Sequence, residues 1–434
     1  MQWIDNMIFL AILSLAIYFF SKSIVRIKRN IALGIPLNRS DNPGQRWKVM
    51  AKVALGQSKM VSRPIAGFFH ILIYLGFVLI NIEVLEILID GIFGTHRIFS
   101  KPLGQLYHFA INFFEILALG VIIACIVFLV RRNLAKVSRF HKPEMVGWPT
   151  RDANLILYIE LVLMFALLLM NAVEANFEDN HMGPFVVSGF FSGIFESWSQ
   201  SRLHFAERVF WWFHIIGILA FLNYLPFSKH FHIVLSFPNV WFSNLNQKGK
   251  FENMSAVTEE VKKMIDPNSN PYDSSNTSTE VPSRFGAKDV FDLNWVQLLN
   301  AYTCTECGRC TSVCPANQTG KKLSPRKIMM DVRDRLEEVG RIIDTKGKFE
   351  EDGKFLLDGY ISREELWACT TCNACVEACP VNIDPLSIIM EMRRYLVMEE
   401  SAAPQELNLM MQNIENNAAP WQFAQADRLN WVED

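Results

Sequence analysis

The sequence lacks an excess of charge of either sign. Its 42 Lys and Arg residues nearly balance 44 Asp and Glu residues, which leaves a formal net charge of −2 over 434 residues. A basic patch or stripe is the electrostatic signature of a nucleic-acid-binding protein, so this balance argues against that class. The length is enough for two or three domains.

Cysteine is almost absent from the first 300 residues, where Cys125 is the single example. The other eight fall in two short runs after residue 300. Such grouping favours metal ligation over a disulfide framework and implies a reducing compartment for the runs. We interpret Cys125 as a small packing residue inside a helix.

Charged residues are scarce within five apolar stretches of the first 235 residues. Each stretch is long enough to cross a bilayer, which takes about 20 helical residues. They lie near residues 4–25, 65–89, 105–130, 152–174 and 206–228. The first lacks the basic start and small-residue cleavage site of a signal peptide. We therefore expect it to be retained, and residues 1–235 to form a five-helix transmembrane domain.

Basic residues are concentrated in two of the loops between these stretches. Ten Lys and Arg residues against one acid, Asp41, lie from Lys22 at the end of the first span to Arg63 before the second, and six lie between the third and fourth. Cytoplasmic loops carry such an excess. The pattern predicts a multi-pass protein of the cell's inner membrane, with the N-terminus outside and everything after Phe227 in the cytoplasm.

Histidines near the ends of the spans are candidate haem ligands. His214 and His232 are 18 residues apart, which in one continuous helix is five turns, so both would share a face about 27 Å apart. That arrangement suits two stacked b haems. We expect His70 to pair with His232 at an inner haem. His108 would pair with His214 at an outer haem, with His204 as its competitor; the alternative is that these are interfacial histidines without a metal.

Other polar residues within or beside the spans leave alternatives open. Glu115 and Glu160 are expected to face the bundle interior or a cavity, because ionisable groups are costly in lipid. For Glu115, a proton route or quinone contact competes with a plain buried hydrogen bond to a neighbouring helix. We interpret His230 as an interfacial residue. The remaining loop histidines are expected to be solvated: His96, His141 and His181.

The loop at 183–198 is apolar, broken by glycines and too short to span a bilayer. We expect it to lie in the interface over the outer end of the bundle. There it would roof a quinone pocket.

The two cysteine runs share one spacing. They read Cys304-x2-Cys307-x2-Cys310-x3-Cys314-Pro315 and Cys369-x2-Cys372-x2-Cys375-x3-Cys379-Pro380. In two-cluster ferredoxins the fourth cysteine of such a run ligates the other [4Fe–4S] cluster. We therefore assign one cluster to Cys304, Cys307, Cys310 and Cys379, and the other to Cys369, Cys372, Cys375 and Cys314. A zinc site would call for two pairs of ligands rather than triplets.

An internal repeat accompanies the cysteines. SPRKIMMDVRDRL at 324–336 follows the first run, and DPLSIIMEMRRYL at 384–396 follows the second. Ser324 and Asp384 are predicted N-caps before a first-turn proline, and Ser362 with Glu365 predicts a capping box. A helix is also expected near 289–301. Because Cys369 follows Cys314 by 55 positions, we predict an all-α protein with an α-helical ferredoxin domain at 286–400. An amphipathic segment and linker at 236–285 would precede this domain, and a tail at 401–434 would follow it.

Three stretches together suggest a family. YTCTECGRCTSVCPA, WACTTCNACVEACPV and LPFSKHFHI resemble heterodisulfide-reductase-related proteins. The cluster half resembles their small two-cluster subunit. The membrane half is similar to their cytochrome b subunit and to the haem b subunit of respiratory nitrate reductase. The resemblance covers most of the chain.

The resemblance implies haem ligands from the second and fifth helices. His70, His214 and His232 fit that pattern. Ile80 and Asn81 stand where the family places a second histidine of helix two. The resemblance therefore implies either that His108 substitutes or that a single six-coordinate haem is present. Larger family members also carry CCG repeats at their catalytic site; because this sequence has no CC dipeptide, the catalytic step is expected on a partner.

The leading hypothesis is an electron-transfer subunit of a quinone-linked oxidoreductase. Electrons would pass between a cytoplasmic CCG-type or flavin-containing partner, such as an electron-transfer flavoprotein, and a membrane quinone, menaquinone or ubiquinone. Two [4Fe–4S] clusters and one or two b haems would carry them. The alternative is a non-haem membrane anchor that docks a soluble reductase through structural clusters. A third class, a transporter or pump, would show inverted repeats or broken spans, and neither is visible.

Overall fold

The structure is a computed structural model that describes residues 2–178, 184–266 and 284–433. Its membrane part contains α1 (Gln2–Ile31), α2 (Pro43–Met50), α3 (Pro64–Phe93), α4 (Gln105–Leu129), α5 (Trp148–Glu174), α6 (Gln200–Tyr224), α7 (His232–Trp241) and α8 (Ser255–Ile265). The cluster part contains α9 (Trp295–Thr303), α10 (Arg309–Val313), α11 (Pro325–Lys346), α12 (Arg363–Trp367), α13 (Ala374–Ala378), α14 (Pro385–Met398) and α15 (Gln405–Asn417). Short helical turns connect several of them.

The all-α prediction is confirmed for the residues that the structure describes, whose β pairing is limited to isolated bridges. Five helices are long and apolar enough to cross a membrane: Trp3–Ile31, Pro64–Phe93, Gln105–Leu134, Trp148–Glu174 and Gln200–Phe227. They coincide with the five predicted spans and extend them at their ends. The chain is therefore a membrane protein in which an apolar bundle precedes a helical cluster domain.

Small residues allow the spans to approach closely. In the packing of α3 on α4, a Cβ atom at Gly76 would lie 2.5 Å from the Val121 side chain. In the packing of α5 on α6, a Cβ at Gly217 would lie 2.6 Å from Leu163. Without a hydrophobic driving force between helices in lipid, close van der Waals packing of this kind drives their association.

The fifth span does not continue to His232, which corrects the single-helix geometry expected for His214 and His232. The helix ends at Tyr224, and Ser228 adopts an extended conformation (φ −117°, ψ 149°) before α7 begins. Asp152 on α5 holds this break, because its carboxylate accepts hydrogen bonds from the Ser228 hydroxyl at 2.7 Å and the Lys229 amide at 3.1 Å. The prediction that one continuous helix carries both histidines is therefore wrong.

The cluster domain follows the predicted repeat. The Ser324 and Asp384 side chains cap α11 and α14, and the Ser362–Glu365 capping box opens α12. The helix expected near 289–301 is instead α9, which begins after the N-cap Asn294 and is preceded by a turn at Val290–Asp292. Of the predicted linker, residues 267–283 lie outside the described part of the chain.

Buried polar contacts join the membrane bundle to the cluster domain. Arg326 on α11 donates to Glu144 at 2.6 Å and to the Arg139 carbonyl at 2.7 Å, both in the α4–α5 connection. Arg29, near the end of α1, donates to the Gly340 carbonyl at 3.0 Å. Because α1 reaches α11 in this way, one end of the bundle, here named the cluster-side end, is fixed against the cluster domain. The opposite end is named the distal end.

The loop between α5 and α6 lies over the distal end, as predicted for 183–198. Its described part, 184–198, buries Phe185, Val187 and Phe195. The amides of Val187 and Ser188 donate to Glu115 at 2.8 and 3.2 Å. Gly183 lies outside the described residues, as does His181.

Candidate redox centres

The first cysteine run and the end of the second meet at one small cavity. Cys379 lines it together with the first three cysteines of the other run: Cys304, Cys307 and Cys310. These four are the predicted ligands of the first cluster. The crossed assignment itself stays a prediction, and the cavity brings together the residues that it requires.

The second set is also drawn together across the two runs. The Cys314 thiol interacts electrostatically with Cys369 and Cys375, and Cys369 interacts in turn with Cys372. The short helices α10 and α13, which carry Cys310 and Cys375, pack on each other. Each run therefore contributes three cysteines to its own loop and places the fourth beside its partner's loop.

The two loops share one backbone design. Glu306 and Gly308 have φ values of +54° and +70°, and Thr371 and Asn373, at the same offsets in the second run, have +55° and +59°. Left-handed residues at both positions curl the chain so that neighbouring thiols face inward. A Cβ atom at Gly308 would lie 2.6 Å from a guanidinium nitrogen of Arg326, so this turn requires glycine for space as well as for φ.

Burial opposes ionisation of the free thiols. It raises the pKa of Cys304 to about 12 and that of Cys379 to about 11. Because thiolates are the ligands of iron, the positive charge of a bound cluster would supply the stabilisation that these loops lack. No three His, Cys, Asp or Glu side chains in the described parts of the chain lie close enough to hold a single metal ion. A cubane distributes its four thiolates over four iron atoms, so the four-cysteine cavity is the relevant comparison.

His70 and His232 face each other at the cluster-side end of the bundle. Their ring centroids are 6.5 Å apart, with 43° between the ring planes. A metal lies about 2.0 Å from a coordinating imidazole nitrogen, so two rings on opposite sides of one metal have centroids about 6 Å apart. The two histidines therefore stand at the separation that a haem iron between them requires.

The hydrogen bonding of these two rings is also suited to ligation. The Nδ1 of His232 donates to the Lys229 carbonyl at 3.0 Å, which fixes the ring and leaves Nε2 available. Burial lowers the pKa of His232 against the opposing effect of that bond, which favours the neutral form. The Nδ1 of His70 is buried without a hydrogen bond.

A cavity of about 340 Å³ surrounds the pair. Its wall is mostly apolar, and three arginines of the α4–α5 connection region line one side: Arg131, Arg132 and Arg139. The Nε atoms of Arg132 and Arg139 are buried without hydrogen-bond partners. An apolar slot with unpaired guanidinium groups on one side matches haem, which has an apolar macrocycle and two carboxylates on one edge.

The same cavity reaches the first cysteine loop. Cys307 and Arg309 line it, and both also line the four-cysteine cavity. Arg309 is 5% exposed and donates to the Lys59 carbonyl at 2.8 Å. The histidine pair and the first cysteine site therefore share a wall.

His230, which we interpreted from the sequence as an interfacial residue, lies beside this pair. Its ring centroid is 5.6 Å from that of His232, and its Nε2 is 3.8 Å from a carboxylate oxygen of Glu160. Both His230 and Glu160 line the cavity, as does the buried Cys125. The expectation that Glu160 faces a cavity is confirmed.

The distal end contains a larger cavity of about 750 Å³. His108 and His204 both line it, with aromatic walls from Trp211, Trp212 and Phe177. His214 is 1% exposed and lies one helical turn beyond Trp211, but it is not part of that lining. His108 therefore shares this cavity with its competitor His204, and the pairing of His108 with His214 stays a prediction.

Of the two alternatives predicted for Glu115, the structure shows the buried hydrogen bond. Besides the two loop amides, its carboxylate accepts a hydrogen bond from the Asn171 side chain on α5 at 3.1 Å. This is the buried hydrogen bond to a neighbouring helix. His96, expected to be solvated, is half-exposed and lies 3.4 Å from Glu174 at the cavity, whereas His141 is exposed.

Sequence reasoning missed a buried polar network beside the distal cavity. Arg97, 8% exposed, donates three hydrogen bonds of 2.6–3.0 Å to Glu174 and one of 2.7 Å to Asn171. Three acids of α3 adjoin it: Glu83, Glu86 and Asp90. Their recurrence at helical spacing inside a predicted span was the signal available in the sequence.

Residues 303–383 match the model of a 4Fe–4S dicluster domain. This part of the chain is an iron–sulfur domain. Across 99% of its length the chain is 27% identical to a probable iron–sulfur-binding oxidoreductase, FadF, of Bacillus subtilis, and it covers 61% of that protein. Over 92% of its length it is 26% identical to the EtfAB:quinone oxidoreductase of Syntrophomonas wolfei, of which it covers 55%.

Part of the chain also resembles a membrane-bound ferredoxin. A probable membrane-anchored ferredoxin of Chromohalobacter salexigens is 33% identical over 34% of this chain and 24% of its own length. The chain spans less than two thirds of the length of the first two relatives. No solved structure matches it. The chain is therefore similar to an iron–sulfur-binding oxidoreductase and a quinone oxidoreductase over most of its length, and to a membrane-anchored ferredoxin over a third of it.

Proposed function

We propose that this chain is the membrane subunit of a quinone-linked oxidoreductase complex. It would relay electrons between a cytoplasmic flavin-type or CCG-type partner and the quinone pool, with its cluster-side end in the cytoplasm. Two [4Fe–4S] clusters and b-type haem would supply the one-electron steps. The similarity to an EtfAB:quinone oxidoreductase supports a flavoprotein partner and a quinone.

The shared wall between the two cavities carries this proposal. Cys307 borders both the four-cysteine site and the slot between His70 and His232. A soluble ferredoxin that only docked on an inert anchor would have no need for paired buried histidines beside a cluster ligand. The arrangement supports electron exchange between the iron–sulfur domain and the bundle.

The residues of the chain have four tasks in this proposal. His70 and His232 would hold haem iron from α3 and α7, and the arginines of the cavity would meet its carboxylates. Arg309 places a positive charge between the histidine pair and the first cysteine site, which favours an added electron on either side. Lys229 fixes the start of α7, because its amide donates to Asp152 and its carbonyl accepts a hydrogen bond from His232. These bonds therefore fix the position of His232.

An outer haem is not included, because His108 and His214 do not line one cavity. The distal cavity is instead the proposed place of the quinone head group. Its aromatic walls suit a flat ring, and His108, His204 and Arg97 offer hydrogen bonds to quinone oxygens. His214, whose Nδ1 is buried without a hydrogen bond, remains a predicted haem ligand with no partner assigned.

A haem assay on purified protein tests the proposal. The wild-type protein should contain b-type haem by the pyridine haemochrome method. His232→Ala should lose the haem equivalent that depends on the cluster-side pair, while the exposed control His141→Ala should retain it. Iron–sulfur EPR signals should be preserved in both variants, which separates ligand loss from misfolding. A wild-type protein with clusters and no haem would contradict the relay and favour the non-haem docking anchor.

A further inference from the structure

Five carboxyl groups and one guanidinium are buried together inside the distal half of the bundle. The acids are Glu83, Glu86, Asp90, Glu115 and Glu174, each at most 7% exposed. The cation is Arg97, which burial alone would make less basic but whose pKa the charge of Glu174 holds well above its usual range. So many carboxylates cannot all be ionised beside one cation in a low-dielectric interior. At least one of them must bind a proton.

Hydrogen-bond donors surround three of these acids. Glu174 accepts three bonds from Arg97. Asp90 accepts from the amides of Arg97 and Ile98 at 2.7 and 3.3 Å, and Glu115 accepts from two amides and an amide side chain. Each of these carboxylates therefore has its own hydrogen-bond donors.

Glu86 also accepts hydrogen bonds from two donors. It accepts from the Phe99 amide at 2.8 Å and from the Tyr107 hydroxyl at 2.5 Å. Tyr107 also receives a hydrogen bond of 3.2 Å from Arg97. The hydroxyl therefore links Glu86 to the guanidinium.

Glu83 differs from the other four. It is 3% exposed, and its Oε1 makes no hydrogen bond. Its nearest charge is Arg97, whose Nη1 is 3.5 Å from Oε1, outside hydrogen-bonding geometry. The other guanidinium nitrogens of Arg97 are occupied by Glu174 and Asn171. Glu83 is thus a buried carboxyl without a donor, with one guanidinium arm within reach.

We propose that Glu83 holds an exchangeable proton and delivers protons to, or accepts them from, the quinone reaction in the distal cavity. Arg97 and Glu174 line that cavity, and Glu83 lies directly behind Arg97. When Glu83 gives up its proton, Nη1 of Arg97 can close the 3.5 Å gap and compensate the new charge. This inference rests on the proposed function, because it assigns the quinone to the distal cavity.

The chemistry balances in both directions. A quinone takes up two electrons from the cytoplasmic donor through the redox groups of the chain, together with two protons, and becomes the quinol. Glu83 gives one proton per turn of its cycle and is reprotonated from water through the cavity. Quinol oxidation reverses each step, so that the released proton passes to Glu83 and then to water.

The charged groups that face Glu83 come from every neighbouring element. They are Glu86 on its own helix, Glu115 on α4, Glu174 on α5, and Arg97 in the α3–α4 connection. Helix α1 also packs on α3 and contributes Asp5 to the cavity lining. Glu83 alone among the five acids of the cluster lacks a hydrogen-bond donor, so its proton is the one that should exchange.

Infrared spectroscopy tests this without requiring turnover. Purified protein exchanged from H₂O to D₂O should show the carbonyl band of a protonated carboxyl group, and Glu83→Gln should lose it. The control Glu196→Gln, an exposed acid of the α5–α6 loop, should keep it. Persistence of the band in Glu83→Gln would overturn the assignment, whatever the haem content.

Quinone kinetics test the role of the proton. General acid–base groups contribute roughly 10²–10⁴-fold to rates, so Glu83→Gln should slow quinone turnover by at least about tenfold and flatten its pH profile. Glu83→Asp should restore part of the rate, and Glu196→Gln should behave as wild type. Normal turnover and an unchanged pH profile in Glu83→Gln would refute the role. If the wild type itself lacks haem and quinone activity, the proposed function fails, and the infrared result still decides the protonation of Glu83.

Discussion

Glu306 links the iron–sulfur domain to the membrane bundle, and removal of its charge should weaken the contact between them. It lies between the first two cysteines of the first run and is 4% exposed. One of its oxygens accepts a hydrogen bond from Lys229, at the break before α7, and the other lies 2.9 Å from Arg333 on α11. Glu306→Gln keeps the shape of the side chain and removes the charge.

The expected cost follows from what remains around Lys229. This ammonium is 9% exposed, and its other contacts are the Pro149 carbonyl at 2.6 Å and Asp152 at 3.9 Å. Removal of one partner from a buried pair costs about 3–5 kcal/mol. Because a carbonyl and a distant carboxylate remain, we expect the lower value, about 3 kcal/mol, which corresponds to an equilibrium shift of roughly 100-fold.

Hydrogen exchange measures this cost locally. Amides of α10 and α11 should exchange roughly 100-fold faster in Glu306→Gln, since exchange reports the free energy of local opening. The matched control is Glu364→Gln. Its pair with Lys322 has side chains 60% and 69% exposed, and because such surface pairs contribute little to stability, exchange should change by less than about fivefold.

The sign of the pH dependence provides a second check. Although burial acts to raise the pKa of Glu306, the charges of Arg333 and Lys229 lower it below the usual value of 4.5. Because the pKa is lower in the folded protein, the stabilisation is fully present above the usual value of 4.5. It is lost as the pH falls through the folded pKa. In Glu306→Gln, this loss of stability at low pH should be absent. Equal exchange in Glu306→Gln and Glu364→Gln, with intact clusters by EPR, would refute the reasoning.

Three further predictions concern the cluster domain. Cys379→Ser should alter the EPR signal of the cluster assigned mainly to the first run, and loss of the other signal alone would contradict the crossed assignment. Arg335 is 0% exposed and pairs with two aspartates. Arg335→Met should therefore lower the free energy of unfolding, measured by denaturant titration, by about 3–5 kcal/mol. Unchanged stability would show that these ion pairs make no net contribution to stability. Gly308→Ala should lower the iron content of the purified protein, because the alanine Cβ would contact Arg326. The control Gly320→Ala has a similar φ of +82° and open space around it, so its iron content should not change. Equal iron content in the two variants would exclude the steric cause.

Local chemistry explains what sequence could predict of the fold. Five apolar runs of sufficient length fold as membrane helices wherever they lie in the chain, since the backbone must satisfy its hydrogen bonds internally in lipid. The caps of α11, α12 and α14 depend on residues three positions apart. The spacing of the cysteine runs depends on a loop of a few residues. All of these are short-range patterns, and the structure repeats them.

Long-range contacts decided what the sequence did not indicate. The helix break after Tyr224 depends on Asp152, whose bond to Ser228 joins residues 76 positions apart. That break moves His232 out of the helix of His214 and turns it toward His70. No periodicity within the fifth span could predict this, because a helical continuation through residue 232 is locally acceptable.

The sequence by itself therefore determined the two-part architecture and the cysteine pattern of this protein, because both depend on residue type and on spacings of a few positions. Tertiary structure decided the shared wall at Cys307, the helix break before His232, and the isolation of Glu83 from hydrogen-bond donors. Each of these depends on which side chains meet when distant helices pack. The physical reason is that a buried charge or ligand takes its properties from neighbours in space, and the order of residues along the chain does not specify those neighbours.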